Sequence, residues 1–134
     1  MVCVYCGDNT HVSNSRSAKK SNRTWRRRVC KGCQSSFTTI EEVEFPSSLL
    51  FRNTLGLLEP FERDKLYISI YRACQHRKGA VSEAKALTAT VLTHLSPRID
   101  QAVLDRLAII DVATEVLGRF DYAAGIQYSA YHPL

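Results

Sequence analysis

Nowhere in the 134 residues does an apolar run approach the roughly 18 residues that a membrane-crossing helix needs. No charged-then-apolar leader follows Met1, which runs straight into Cys3, so the sequence predicts a cytosolic chain without membrane attachment. There is no G-x-x-x-x-G-K-[ST] loop, no H-E-x-x-H pair and no nucleophile with an evident base, and the expectation is a protein that is not an enzyme. Internal repeats and low-complexity tracts are missing too. Acid is scarce at one end: residues 1–40 hold Asp8 alone against eight Lys and Arg, although the whole chain carries only +5. A basic head on a mildly acidic body points to a polyanion-binding segment joined to a different kind of module; the plainer alternative is a solvated surface.

A chain of this length makes one ordinary domain or two small ones. Up to Glu44 it is rich in Cys, Ser, Thr and Arg with short alternating segments; "FPSS" follows, and then longer apolar-periodic stretches. The expected organisation is α+β, with a first domain over 1–44 and a mostly helical one over 49–134. Modules this small bury thin cores and need a metal, a disulfide or a partner chain. In a reducing cytosol, five cysteines read as metal ligands and buried thiols rather than as a disulfide framework.

In the second part, Leu66, Ile70 and Cys74 recur at helical spacing with Ala73 beside them. A second helix is predicted from Ser82 as its N-cap, with Ala84, Leu87, Val91, Leu92 and Leu95 on its apolar face. Two more follow from Asp105 and Asp121. "SLLFRNTLGLLEPF" reads as a short hairpin with Gly56 near its turn.

The cysteines carry the sharpest signal. "CVYC" (Cys3, Cys6) and "CKGC" (Cys30, Cys33) each separate two thiols by two residues, the spacing at which a tight turn aims both sulfurs at one ion. Two such knuckles predict a tetrahedral four-cysteine Zn2+ site, structural because four thiolates leave no position for water. A redox dithiol is the competing reading, and His11 is a spare ligand candidate. Between the knuckles, "THVSNSR" (10–16) and "RTWRRRVC" (23–30) alternate like strands. Side chains point alternately to opposite faces, so Arg26 and Arg28 share one face and Trp25, Arg27 and Val29 the other. Arg26 and Arg28 are the pair expected to meet phosphates or base edges. Lys19, Lys20 and Arg23, in and beside the joining loop, would add backbone contacts.

The ordered series of a Cys-x-x-Cys start, "VSNSR", "WRRRVCKGC", "FTTIEE" and "EPFERDKL…RAC" resembles the NrdR family of bacterial transcriptional repressors over essentially the full length. The resemblance implies an N-terminal zinc ribbon followed by an ATP-cone domain. In that family the ribbon binds paired boxes in double-stranded DNA upstream of ribonucleotide reductase genes, and the cone binds ATP and dATP, which set the size of a homo-oligomer. It further implies Cys3, Cys6, Cys30 and Cys33 as zinc ligands and Arg16, Arg26, Arg27 and Arg28 in DNA-facing segments. Asn14 stands where the family usually has an aspartate.

In the cone half, the family's first strand carries a Lys-Arg pair that meets nucleotide phosphates; here Asn53 and Thr54 occupy those places. Arg52 lies next to them, but a shift of one residue turns a side chain to the opposite face, so it substitutes only if the strand bulges or the hairpin is re-registered. Glu59 and Lys65 match the family's "EPF-x-x-x-K-L" segment. Tyr128 and Tyr131, three apart on the last helix, are placed either to stack on an adenine or to pack in the core. Arg52, Glu59, Lys65 and Tyr128 are thus the candidate nucleotide contacts. Two other functions compete: a detached cone module acting directly on ribonucleotide reductase, and a zinc-ribbon RNA-binding protein.

Overall fold

The computed structural model describes residues 1–132; positions 133 and 134, the end of the expected second domain, lie outside the described residues. The chain folds into two compact units, residues 1–43 and the residues from 44 onward. The fold is α+β, and no helix among the described residues is long and apolar enough to cross a membrane.

The first unit is an antiparallel sheet of β1 (Thr10–Ala18), β2 (Arg23–Cys30) and β3 (Ser36–Glu41), in that order. The two expected strands pair as a hairpin, and the "SFTTIE" segment adds a third strand along the other edge of β2. A bulge between Val12 and Asn14 leaves Ser13 unpaired in the ladder, and its hydroxyl donates to the Arg27 carbonyl at 3.2 Å. The buried apolar residues of this unit are Cys3, Cys30 and Phe37. So small a core cannot by itself offset the chain entropy of some forty ordered residues.

In the second unit, the "FPSS" stretch expected as a boundary is the one-turn helix α1 (Phe45–Ser48), capped by the Glu44 carboxylate, which accepts from the Ser47 N–H at 3.0 Å. The hairpin of β4 (Leu50–Arg52) and β5 (Leu58–Pro60) follows. Its turn is closed by Gly56, at φ +77°, and by Asn53, whose Oδ1 accepts from the backbone N–H of Leu55 at 2.9 Å and of Leu57 at 3.0 Å. Helices α2 (Arg63–Cys74) and α3 (Ala80–Leu95) come next, then a 3-10 turn (Ser96–Arg98) and a third strand, β6 (Val103–Asp105), lying parallel to β4. Helices α4 (Arg106–Phe120) and α5 (Tyr122–Tyr131) complete the unit.

The apolar faces read from periodicity are the ones buried: Leu66, Ile70, Ala73 and Cys74 on α2, and Ala84, Leu87, Val91 and Leu95 on α3, with Leu92 half-buried against them. Ser82 is not the cap of α3. The cap position is Gly79, three residues earlier, closed by Glu83 N–H to the Gly79 carbonyl, and Ser82 turns its hydroxyl back to Gly79. Asp121 caps α5 through Ala124 N–H at 3.1 Å and also receives Arg77 at 2.8 Å and His76 at 3.1 Å. Arg77 is shared with Glu83 and lies over the Phe120 ring, which ties the α2–α3 turn to the α4–α5 junction. At that junction the two helices cross through glycines: a Cβ on Gly125 would sit 2.7 Å from the Gly118 Cα.

Candidate metal centre, nucleic-acid interface and cavity

The two knuckles bring the four expected thiols together. Their sulfurs all lie within 4.8 Å of one another, with Cys6 and Cys30 3.4 Å apart and Cys3 and Cys33 3.7 Å apart. A tetrahedron with Zn–S bonds of about 2.3 Å has edges of about 3.8 Å, so the cluster is already near the size of a zinc site, whereas a disulfide needs sulfurs about 2.05 Å apart. Backbone N–H groups aim at the buried sulfurs: Tyr5 at Cys3 (3.4 Å), and Gly32 and Cys33 at Cys30 (3.3 and 3.4 Å). These donors favour thiolates over thiols. Gly32 leaves room for the Asp8 carboxylate: a Cβ there would lie 1.9 Å from its Oδ2, and the exposed Asp8 side chain would have to swing aside.

The thiols cannot all ionise beside one another without a cation. Asp8's backbone N–H pulls Cys6 down, but the neighbouring thiols, Cys30 foremost, together with desolvation prevail and push it up to about 12. Ser35, through its hydroxyl and its N–H, draws Cys33 down to about 6. A divalent ion removes this conflict, and four sulfur donors suit Zn2+. Bound there, zinc supplies the folding energy that a three-residue core lacks. His11 is exposed and outside the cluster.

Register fixes which arginines share a face. Arg26 and Arg28 stand on the side of Cys30 and Phe37; Arg16, Trp25, Arg27 and Ile40 stand on the other, with Arg16 opposite Trp25 and Trp25 opposite Ile40. Arg26 is half-buried and held by Ser15 (3.1 Å) and Glu41 (3.2 Å). Arg28, also half-buried, donates to Thr10 at 3.3 Å. Arg27 is exposed and rests on the hydroxyls of Thr38 and Ser36, partners that leave its charge uncompensated. Arg16 is exposed, with no hydrogen bond or ion pair among the described residues. Arg23 is neutralised by Glu42 at 2.8 Å. The exposed arginines without a carboxylate partner, Arg16 and Arg27, thus share one face; Arg28, on the other, also lacks a carboxylate but is half-buried.

In the second unit, a cavity of about 300 Å3 opens between the hairpin, α2, α4 and α5. Glu59, Lys65 and Tyr128 line it, together with Asn53 and Thr54. Lys65 stands at the mouth, 73% exposed and 3.9 Å from Glu59; Tyr128 is buried in the wall at 2% exposure. Tyr131 is 68% exposed, so the two tyrosines part company. Arg52 is not in the cavity. The strand runs without a bulge, so Arg52 projects from the opposite face and pairs with Asp105 at 3.1 Å. Two lining residues escaped the sequence reading: Arg106, first residue of α4, and His132, whose ring lies 4.5 Å from that of Tyr128. Burial, and then the charge of Arg106, holds His132 below the usual histidine range.

The family model described as "Transcriptional repressor NrdR-like, N-terminal domain" matches residues 1–41. The transcriptional repressor NrdR of Heliobacterium modesticaldum is 32% identical over 133 residues, spanning 98% of this chain and 86% of its own. The NrdR of Symbiobacterium thermophilum is 30% identical over 132 residues, with 98% and 87% covered, and that of Streptococcus gordonii 34% over 126, with 87% and 80%. Knuckle geometry, strand order and similarity along nearly the whole length agree: the chain belongs to the NrdR family.

Proposed function

We propose that this chain is a DNA-binding transcriptional repressor, not an enzyme, in which the zinc ribbon of residues 1–44 engages duplex DNA and the unit over 49–134 binds ATP or dATP and self-associates. Its targets on this reading are ribonucleotide reductase genes. The observation that carries the DNA-binding part is the uncompensated charge of Arg16 and Arg27, flanking Trp25 on one face of a metal-clamped sheet. Guanidiniums that no carboxylate neutralises release counterions on meeting phosphates; Arg26, already paired with Glu41, gains less. Arg28 has no carboxylate partner either, but it is half-buried; of the four arginines implied by the resemblance, the exposed and unneutralised Arg16 and Arg27 therefore meet the duplex, while Arg26 and Arg28 brace the sheet from the zinc side. One ribbon offers little contact area, so two or more must act together, and nucleotide acts by favouring one assembly over another.

Filter binding across a salt series tests the assignment. Replacing Arg16 and Arg27 together with Ala should flatten the log K against log salt slope by about 2 units, with zinc content unchanged. An equal or larger loss of slope in the Arg26→Ala/Arg28→Ala double variant, with Arg16→Ala/Arg27→Ala near wild type, overturns the choice of face. Light scattering with ATP, dATP or neither tests the nucleotide part; identical mass and DNA affinity in all three refutes it.

A further inference from the structure

We propose that Asn14 is a base-reading residue of the ribbon: its carboxamide, two positions from Arg16 and opposite Arg27, hydrogen-bonds the edge of an adenine in the major groove of duplex DNA. The inference rests on the DNA-binding reading above and supplies what that reading lacks, because arginines on phosphates position a protein without telling one sequence from another. The bulge at Ser13 decides where Asn14 points. Counted on from Val12 opposite Arg28, a regular ladder would set Asn14 opposite Arg26 and Arg16 opposite Thr24, on the zinc side. The one-residue slip turns both to the other face, Asn14 opposite Arg27 and Arg16 opposite Trp25. One irregularity thus assembles the whole exposed row.

Asparagine is a poor strand former, yet Asn14 stands in the middle of β1, exposed and with no hydrogen bond among the described residues. Its cross-strand neighbour Arg27 leans the other way, donating to Thr38 at 3.1 Å and Ser36 at 2.6 Å on the β3 side. The donor and the acceptor of the carboxamide are therefore both free. The acids of residues 1–43 are Asp8, Glu41 and Glu42. Asp8 lies beside Gly32 at the knuckles, Glu41 holds Arg26 on the zinc side and Glu42 holds Arg23 at 2.8 Å, so none of them neutralises Arg16 or Arg27. A polyanion is thus drawn to the face on which Asn14 stands. Three strands about 4.8 Å apart make that face about 10 Å across, too broad for a minor groove of about 6 Å and close to a major groove of about 12 Å. There adenine presents an acceptor, N7, beside a donor, N6, the pair that a carboxamide matches. Trp25 and Ile40, in the adjacent row, add apolar surface of the kind a thymine methyl favours.

Selection from a randomised duplex DNA pool by the full, zinc-loaded chain, repeated with variants of Asn14, tests the assignment. Wild type should fix an adenine at one position of the selected site for each ribbon engaged. Asn14→Ala should relax that position alone, lowering its preference about ten- to a hundredfold, with zinc content and the slope of log K against log salt unchanged. Asn14→Asp, which keeps the shape but offers acceptors only, should move the same position toward cytosine, whose N4 donates. Retained zinc shows that the ribbon of each variant is folded, and Asn14→Asp is read by the same preference should Asn14→Ala fail that check. A wild-type site without a fixed adenine, or an Asn14→Ala protein that selects the same bases at the same stringency, overturns the role of Asn14 and leaves the DNA reading standing. Equal weakening on every duplex also overturns it, since that is the mark of a phosphate contact. Wild-type protein that does not bind duplex DNA overturns both.

Discussion

Gly125 is the position where one added methyl should cost the most for its size. A Cβ there would lie 2.7 Å from the Gly118 Cα and 2.9 Å from the Gly118 nitrogen, both backbone atoms of a packed helix that no rotamer change can move. Forcing helices apart at such a crossing costs about 1–3 kcal/mol, while Ala in place of a helical Gly returns about 0.5–1 kcal/mol through propensity. At the middle of both ranges the clash wins, leaving a net loss of about 1 kcal/mol, or about 4–8 °C in the melting of a unit of this size. Gly118 supplies the control, because a Cβ there meets nothing within 4 Å. Gly118→Ala should gain the propensity term alone and melt about 2–8 °C higher. Far-UV circular dichroism at about 222 nm follows the second unit selectively, since all five α-helices among the described residues lie there. A Gly125→Ala protein that melts at or above wild type refutes the argument.

Purified protein should hold about one zinc per chain, and Cys30→Ala, which removes a buried ligand, should lose both the metal and the ribbon's fold; metal analysis finding neither zinc nor dependence on Cys30 would refute the structural role. Asp121 is held well below the usual carboxylate range by His76 first, then by Ala124 N–H and Arg77, and Glu83 is lowered by Arg77. Because both folded-state values are depressed, their stabilisation is complete above the unfolded pKa of about 4 and fades as pH falls below it through the folded values. Melting temperature should therefore drop below about pH 4, and Asp121→Asn, which keeps a capping side chain, should flatten that acid limb; an unchanged limb would mean other carboxylates dominate.

Local features were legible in the sequence. The knuckle spacing puts sulfurs on one ion without help from distant residues, and the helix starts at Asp105 and Asp121 and the apolar stripes of α2 and α3 follow from signals within one element. What the sequence hid depends on pairings across the chain. Strand β6 is three residues long and acquires its partner, β4, from about fifty positions upstream, so neither alternation nor flanking turns announce it. That pairing also captures Arg52 through Asp105 and seats Arg106 at the cavity. Likewise, alternation along β2 separates the arginines into two faces, but only the register with β1 and β3 decides which of them meet a carboxylate, as Arg23 and Arg26 do, and which meet hydroxyls, as Arg27 and Arg28 do.

The turn built on Asn53 resists replacement of that residue by a charged one. Its side-chain oxygen holds two backbone N–H groups of the loop, and a lysine at that position has no acceptor to offer them. At about 1 kcal/mol for each bond, an Asn53→Lys substitution would loosen the tip by about 2 kcal/mol, and the added charge would have no ordered site in which to act. A cation at this corner of the hairpin therefore needs a second change that gives the two backbone N–H groups another acceptor.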